Sequence, residues 1–382
     1  MIIFFFSDVS WEGLYQRPHH IAKRLSKNNI VIWIEPLTFS HKPNFKLKHI
    51  ENNLYTITIP AIPYNARNKI LKRLTLTLSS LNIFRLLIQK TQIKFINKIF
   101  FELKIKINDE YIFFFENYQL SDVITNFKPT LIIYDYIDNA LGFTKLPKHV
   151  IETWNKLIKN SNFIFATSNY LINQIQKYRK NDIYLVTNGV EYEFFSSYQT
   201  STNPTDLPVE KKIVGYIGAI YPWLDYDLIE YLCSNLPDIN FTFIGKTHPD
   251  IKPYLENLQK HKNFFYLGFK NYSIIPSYLS KFSVGIIPFK RTELTEGVNP
   301  VKLFEYSAMG IPTVCTNFSD DLEEYKNLIF ISSTKEDFVQ NILSAIRKST
   351  ESEFIIKLKN FAKQNDWDEK YQTIMNVIQS YY

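Results

Sequence analysis

Lys302 and Glu305 are three positions apart in a segment whose pattern predicts the start of a helix. Side chains with this spacing lie on one helical face. Free backbone N–H groups and the helix dipole make a helix N-terminus a site for a phosphate. There, Lys302 would add a positive charge to a diphosphate, and Glu305 would accept hydrogen bonds from ribose hydroxyls. The alternative is a solvent-exposed Lys/Glu pair, which contributes about 0.2–0.5 kcal/mol.

The residues around this pair predict a helix of about three turns. Asn299 can cap it, Pro300 suits its first position, and Gly310 can end it before Pro312. The helix follows SVGIIPF, which is predicted to be a strand, so its N-terminus should lie at the carboxyl edge of a sheet.

Short β-rich segments alternate with amphipathic ones along the whole chain, as in IIFFF, IVIWIEP and TLIIYDY, and later KKIVGYIGA, NFTFIGK and IPTVCT. This alternation is typical of βαβ units that build parallel sheets. A Ser-, Thr- and Pro-rich segment separates the two halves and predicts a linker. We therefore predict an N-terminal α/β domain over residues 1–195, a linker over 196–210, a second α/β domain over 211–362 and a C-terminal helix over 363–382.

Ligands of open parallel sheets bind in the loops at the carboxyl ends of the strands. The loops that this rule selects are Ser7–Arg17, Asp135–Phe143, Gly218–Asp225, Gly245–His248, Gly268–Tyr272 and Phe289–Asn299. Asp225 and Asp227 have the spacing of a metal-binding pair, but their position predicts a helix cap instead. The two cysteines, Cys233 and Cys315, match neither a disulfide framework nor a metal-ligand spacing.

The segment NPVKLFEYSAMGIPTV resembles the nucleotide-sugar motif of GT-B glycosyltransferases, especially family 4. Other segments agree in order and spacing, among them SWEGLYQRPHHIAKRL, IIYDYIDN, FATSNYLINQI, TNGVEYEFF and VGYIGAIYPWLDYDLI. Together they resemble the teichuronic acid type of glycosyltransferase and, more distantly, the glucuronosyltransferase of xanthan assembly. This resemblance implies two Rossmann-like domains facing a central cleft, with the C-terminal helix crossing back to the first domain.

The resemblance also implies a donor site in the second domain. Lys302 would contact the diphosphate, Glu305 the ribose, and the residues near Phe289 and 268–270 would flank the nucleobase. The other residues assigned to the donor site are Asn299, Pro300, Val301, Gly218, Gly245, Lys246, Gly268 and Phe269. Because a helix end and a lysine neutralise the diphosphate, neither a metal ion nor any other cofactor is expected.

The chain departs from the family 4 pattern at Gly297, where many relatives carry a second glutamate. Glu296 is one position away from it. The Arg and Lys that often follow the first strand of the second domain are also missing, since IGAIYPWLD has neither. The contacts to the donor sugar should therefore differ from the commonest arrangement.

The acceptor site is expected in the first domain. An aspartate near an acceptor hydroxyl can act as general base, and Asp138 matches the aspartate of the xanthan enzyme, with Asp135 beside it. The alternative for Asp138 is a turn or capping carboxylate. Trp11 would stack on a sugar ring and Arg17 would hold a carboxylate or phosphate; the alternative for both is loop packing. His19 and His20 are expected to lie on the surface of the first turn of a helix.

The chain carries a net charge of +7, and its basic residues concentrate between Arg67 and Lys106, where Glu102 is the single acid. Interleaved leucines, isoleucines and phenylalanines predict a basic amphipathic surface that rests on anionic lipid. The alternative is a solvated helix face. No recognised RNA- or DNA-binding motif accompanies the charge, so nucleic acid is not an expected partner.

The N-terminal apolar run is too short for a signal peptide or a spanning helix. We therefore expect a cytoplasmic protein, peripheral on the inner face of the cell membrane. The resemblance implies that it is a metal-independent hexosyltransferase that moves a sugar from a UDP donor to a lipid-linked or growing surface polysaccharide. The rival hypotheses are a nucleotide-sugar epimerase and a non-catalytic GT-B protein that binds glycan or scaffolds an assembly complex.

Overall fold

The computed structural model describes residues 1–39, 42–62, 69–106, 109–139, 147–199 and 203–382, without the side chains of Lys69 and Lys72. Arg67 and the end of the predicted cleft loop at Phe143 lie outside these residues. The chain forms two compact units, Met1–Val186 and Thr187–Tyr382. In the part of the chain that the structure describes, no helix combines the length and the apolar character needed to cross a membrane.

The first unit is an α/β domain. Its elements are β1 (Ile2–Phe6), α1 (Arg17–Leu25), β2 (Ile30–Pro36), β3 (Lys48–Glu51), β4 (Leu54–Ile59), α2 (Lys69–Ser80), α3 (Asn82–Glu102), β5 (Tyr111–Phe115), β6 (Leu131–Tyr136), α4 (Lys148–Asn160), β7 (Phe163–Ala166), α5 (Asn169–Ile175) and β8 (Ile183–Leu185). The strands form one sheet in the order β3-β4-β2-β1-β5-β6-β7-β8, and only the β3–β4 pair is antiparallel. The strand order reverses between β1 and β5, which is the switch point where such sheets bind ligands.

Phenylalanine pairs across β1 and β5 hold the centre of this sheet. The parallel register sets Phe5 beside Phe114 and Phe6 beside Phe115. Their rings stack at centroid distances of 4.7 and 4.3 Å, and all four side chains are fully buried. A strand buried on both faces reads as a continuous apolar run, which explains IIFFF and YIFFF.

The second unit repeats this architecture. Its elements are α6 (Tyr192–Ser196), β9 (Lys212–Ile217), α7 (Tyr226–Asn235), β10 (Ile239–Ile244), α8 (Lys252–Leu258), β11 (Phe264–Tyr266), α9 (Ile275–Leu279), β12 (Phe282–Ile287), α10 (Glu293–Glu296), α11 (Val301–Ala308), β13 (Thr313–Thr316), β14 (Ile329–Ser332), α12 (Lys335–Lys348), α13 (Ser352–Gln364) and α14 (Trp367–Gln379). The sheet is parallel throughout, in the order β11-β10-β9-β12-β13-β14. Its switch point lies between β9 and β12.

The division between the units falls after Val186, earlier than the predicted end of the first domain at residue 195. The reason is that Phe195 is buried in the core of the second unit. The described part of the predicted linker, 196–199 and 203–210, also belongs to that unit, where Asp206 binds the Lys270 ammonium at 2.6 Å. The predicted crossing of the C-terminal helix to the first domain stays a prediction.

Candidate functional site

The candidate donor site lies at the switch point of the second sheet, where Gly218 follows β9 and α11 follows β12. Lys302 is in the first turn of α11. Its ammonium lies 5.2 Å from the centroid of the Tyr216 ring and 5.8 Å from that of Phe289. The strand-to-helix connection thus brings a cation close to the end of β9.

Helix α11 is held against β9 by Tyr306. This side chain is fully buried, and its hydroxyl accepts a hydrogen bond of 3.1 Å from the Ile217 N–H, at the last residue of β9. Because Tyr306 is one turn beyond Lys302 on the same helix, this bond sets the position of Lys302 relative to the end of β9.

Lys302 has no counter-charge within ion-pairing distance among the residues that the structure describes. Burial lowers the pKa of its ammonium, and the nearby Glu305 carboxylate opposes that shift. A cation that loses hydration without gaining a partner is unfavourable, so the arrangement suits an anionic ligand.

Glu305 is 8% exposed, and the Tyr272 hydroxyl donates a hydrogen bond to its carboxylate. Burial raises the pKa of Glu305 to about 7, although Lys302 and Tyr272 both act in the opposite direction. Near neutral pH this carboxyl is therefore present in both protonation states, and its ionised form can accept hydrogen bonds from hydroxyl groups.

Two glycines allow the loops after β9 and β10 to meet. A Cβ on Gly245, where φ is +154°, would lie 1.7 Å from the Gly218 carbonyl oxygen. The Gly218 N–H donates to the Ile244 carbonyl, and the Gly245 N–H donates to the Gly268 carbonyl, both at 2.9 Å. These contacts join three of the predicted cleft loops at one edge of the sheet.

Lys246 and Phe269 lie beside these glycines. The Lys246 ammonium is 4.7 Å from the centroid of the Phe269 ring, which is about half exposed. Phe289, by contrast, is buried, with its ring packed against Phe318 at a centroid distance of 5.1 Å. Of the aromatic rings assigned to the nucleobase, Phe269 is thus the one that solvent reaches.

The predicted start of α11 is wrong in detail. The helix begins at Val301, Pro300 is the capping residue, and no side chain caps the first turn. Asn299 accepts a hydrogen bond of 2.8 Å from the Asn188 N–H and donates to the Tyr325 hydroxyl at 3.3 Å. Its side chain therefore holds a neighbouring loop and leaves the first helical N–H groups free. The helix has eight residues, about two turns.

Glu296, next to the missing family glutamate at Gly297, is engaged with Arg291. Its Oε1 accepts from Arg291 Nε at 2.9 Å, while Arg291 Nη2 donates to Asp320 Oδ1 at 2.8 Å. A carboxylate that is held by an arginine in this way contributes to the structure of the loop.

In the first unit, Arg17 and Asp135 form a bidentate ion pair with each other. Arg17 Nε donates to Asp135 Oδ2 at 2.8 Å and Nη2 donates to Oδ1 at 2.9 Å, with 3% and 0% of the two side chains exposed. The pair joins the start of α1 to β6. The proposed acceptor contacts of both residues stay predictions, and the geometry adds a structural role.

A buried carboxyl, Glu116, follows β5 beside this pair. Its Oε2 accepts from the Ser7 hydroxyl at 3.3 Å, while Oε1 has no hydrogen-bond partner among the described residues. Burial and the carboxylates of Asp135 and Asp8 raise the pKa of Glu116 well above its usual range. The surroundings of Glu116 therefore favour its neutral form.

Asp138 and Asp8 are exposed carboxylates at this edge of the sheet. The surrounding protein reduces hydration of Asp138 and raises its pKa to about 6. The same effect, together with the charge of Asp138, raises the pKa of Asp8 to about 7. Sequence reasoning missed Asp8, although it lies directly after β1 in a predicted cleft loop, and both carboxylates can accept protons near neutral pH.

Trp11 packs against β2 and α1. Its ring lies 5.1 Å from both Trp33 and His19, and its backbone N–H donates to Glu35 Oε2 at 2.8 Å. His19 is buried, which lowers its pKa to about 4, and His20 is also buried. The expectation that these histidines decorate a helix surface is wrong, whereas stacking of Trp11 on a sugar stays a prediction.

The predicted cap at Asp225 is confirmed: its side chain accepts from the Leu228 N–H at 3.0 Å, at the start of α7. Within the described ranges, no three His, Cys, Asp or Glu side chains are grouped so that they could hold a metal ion. Independence from metal stays a prediction.

Comparison with known proteins agrees with the fold. Residues 211–348 match the family model described as glycosyl transferases group 1. The fold is that of GT-B glycosyltransferases, as the motifs predicted. The chain is similar to TuaH of Bacillus subtilis (strain 168), whose name describes a teichuronic acid biosynthesis glycosyltransferase, with 27% identity over 229 residues. The match covers 58% of this chain and 57% of TuaH, little more than half of either protein.

Solved structures share the fold over nearly the whole chain. Sucrose-phosphate synthase from Thermosynechococcus elongatus has a TM-score of 0.73 at 12% identity, covering 99% of this chain and 98% of that chain. WaaG, a glycosyltransferase involved in lipopolysaccharide biosynthesis, has a TM-score of 0.64 at 11% identity, covering 99% of both chains. Anabaena HepE, solved with UDP and glucose, has a TM-score of 0.63 at 13% identity, also covering 99% of both.

Proposed function

We propose that this protein transfers a sugar from a UDP-sugar to a lipid-linked glycan or growing surface polysaccharide at the inner face of the membrane. The observation that carries the proposal is the ammonium of Lys302. It lies in the first turn of α11, and no carboxylate of the described residues pairs with it. A diphosphate would supply the missing negative charge and accept hydrogen bonds from the uncapped helical N–H groups.

In this proposal the second unit drives departure of the nucleotide. Negative charge develops on the diphosphate as the bond to the sugar breaks, and Lys302 and the helix end stabilise it. Glu305 holds the ribose, and Phe269 lies beside the nucleobase. Since these groups are fixed before the reaction, little reorganisation is needed in the transition state.

The acceptor hydroxyl needs a proton acceptor if the anomeric configuration is inverted. Asp138 is our candidate, because it is exposed and its pKa of about 6 leaves most of it ionised at neutral pH. Asp8 is a second candidate, with a pKa of about 7 that the charge of Asp138 helps to raise. Two interacting carboxyls titrate as a pair, so substitution of each is needed to assign the role.

The acceptor class is supported by the relatives. TuaH is named for teichuronic acid biosynthesis and WaaG for lipopolysaccharide biosynthesis. The donor class is supported by HepE, which was solved with UDP and glucose.

Release of UDP from UDP-sugars, measured with and without an envelope glycan acceptor, tests the proposal. A transferase releases UDP with acceptor, an epimerase interconverts donors without release, and a scaffold does neither. Calorimetry with UDP then tests the site: Lys302→Ala should weaken binding by about tenfold to a hundredfold, and Glu305→Ala should weaken it through the ribose. Lys363→Ala, at an exposed position of α13, is the matched control. UDP binding of both site variants like that of the parent would refute the donor site.

A further inference from the structure

Six large apolar side chains on α2, on α3 and between them face solvent. They are Ile70, Leu74, Leu81, Ile83, Leu86 and Leu87, with between 47% and 81% of their surface exposed. We call this set the apolar face. Single exposed apolar residues are ordinary, but exposed apolar residues one turn apart on a helix, as here on α2 and on α3, form patches that mark an interaction surface.

The spacing on α3 continues this surface into a basic one. Ile83, Leu86, Leu87, Lys90, Lys94 and Lys98 recur every three or four residues and are all exposed, so they lie along one side of the helix. The first half of that side is apolar and the second half is basic. We call the three lysines the basic face.

The opposite side of α3 anchors the helix in the first unit. Ile96 and Ile99 are fully buried in the core, and Gln92 Nε2 donates to the Pro60 carbonyl at 2.9 Å. The apolar face therefore cannot be hidden by rotation of the helix, because rotation would expose this core.

Charge identifies the partner. Residues 69–101 contain no acidic side chain, and the next acid in the sequence, Glu102, lies 3.5 Å from the Lys98 ammonium. A second copy of a chain with a net charge of +7 would bring like charges together at this surface. A surface that presents apolar groups beside cations is complementary to an anionic bilayer.

We propose that the apolar face inserts into the boundary between headgroups and acyl chains of an anionic bilayer, while the basic face binds the headgroups beside it. This inference rests on the membrane attachment in the proposed function and extends it, because the apolar face and the basic face contribute to binding in different ways. Burial of apolar side chains supplies affinity that salt does not screen, whereas the lysines supply selectivity for anionic lipid.

Co-sedimentation with vesicles of phosphatidylglycerol and phosphatidylcholine tests the proposal on the full chain. The double variant Ile83→Glu, Leu86→Glu should bind at least about tenfold more weakly than the parent. Ile356→Glu, at a similarly exposed isoleucine on α13, should bind like the parent. Unchanged UDP affinity of the double variant would show that the second unit remains folded, and thermal unfolding would report on the first.

Insertion itself is measured by Leu86→Trp with lipids brominated in the acyl chain. We expect its fluorescence to be quenched more than that of an Ile356→Trp control, also in high salt. Equal quenching, or vesicle binding of the double variant at the parental level, would overturn insertion. If the parent is a dimer in the absence of vesicles and the double variant is a monomer, a second copy of the chain covers the apolar face instead. None of these measurements uses sugar transfer, so a failure of the proposed function can be distinguished from a failure of this inference.

Discussion

A Cβ built on Gly218 would lie 2.4 Å from Lys302 Cε and 2.7 Å from its Nζ. A side chain at residue 218 would therefore displace the end of the Lys302 side chain from the end of β9. The φ of +145° at Gly218 adds backbone strain for any other residue.

We expect Gly218→Ala to displace the Lys302 ammonium and to weaken UDP binding by roughly tenfold or more, with a stability loss of about 1–3 kcal/mol from the strained backbone. A double-mutant cycle with Lys302→Ala, measured by calorimetry, separates the two effects. If the glycine acts through the lysine, the double variant should bind UDP no worse than Lys302→Ala. Fully additive losses would contradict that coupling.

Glu305→Gln should stabilise the second unit at high pH. The carboxyl has a pKa of about 7 in the fold against an ordinary value of 4.5, so the folded protein holds its proton more tightly than the unfolded chain. The resulting loss of stability begins above pH 4.5 and is complete above pH 7, where it reaches about 3 kcal/mol at most.

Denaturant unfolding at pH 5 and pH 8 measures this effect, following the transition that UDP shifts. The gain from Glu305→Gln should be larger at pH 8 than at pH 5, while Glu353→Gln, at an exposed position of α13, should change little at either pH. Equal gains at both pH values would argue against a buried carboxylate as the cause.

Asp138→Asn should leave UDP binding nearly unchanged and lower transfer by about two to four orders of magnitude, the usual range for loss of a general base. Transfer by the parent should fall as the pH drops below about 7 to 6, where Asp8 and Asp138 become protonated. The measurement is the initial rate of transfer as a function of pH, with NMR of the anomeric centre of the product.

Asp8→Asn is the comparison that assigns the base. Removing the neighbouring charge of Asp138 should also lower the pKa of Asp8, because that charge helps to raise it. Retention of configuration, or parental turnover by Asp138→Asn, would leave Asp138 as a turn carboxylate. A large loss in Asp8→Asn alone would move the role to Asp8.

Replacement of Lys90, Lys94 and Lys98 by Glu should abolish the preference for acidic vesicles, since each cation near an anionic surface contributes about 1 kcal/mol. Co-sedimentation at low and high salt measures the preference, because salt screens this attraction. Lys252, Lys260 and Lys262 are exposed lysines of the second unit, and their triple Glu variant controls for net charge. Parental binding by the first triple variant would favour a solvated helix face.

The two-sheet fold could be predicted because its strands are buried on both faces and read as uninterrupted apolar runs, such as IIFFF. The position of the donor site in the second unit could be predicted because Lys302 and Glu305 follow such a strand and are spaced to lie on one helical face. Helix α11 was predicted one residue too early because Asn299 can cap, and a single sequence does not show that Asn188 and Tyr325 occupy its side chain.

Long-range pairing accounts for the other differences. Arg17 and Asp135 are 118 positions apart in sequence, so nothing local indicates that each neutralises the other. Asp8 has an ordinary position after a strand, and its altered pKa arises from Asp138 and the surrounding protein. Phe195 was assigned to the first domain because the Ser- and Thr-rich sequence that follows it does not indicate that its side chain is buried in the core of the second unit.

The close approach of Gly245 to Gly218 also limits how the enzyme can be redesigned. Since a methyl carbon added to Gly245 would come within 1.7 Å of the Gly218 oxygen, residue 245 cannot accept a side chain unless the loop after β9 moves. Libraries that diversify Gly245 would therefore mostly yield destabilised second units. A change of nucleotide preference is better sought at Lys246 and Phe269, whose side chains contact each other beside these loops.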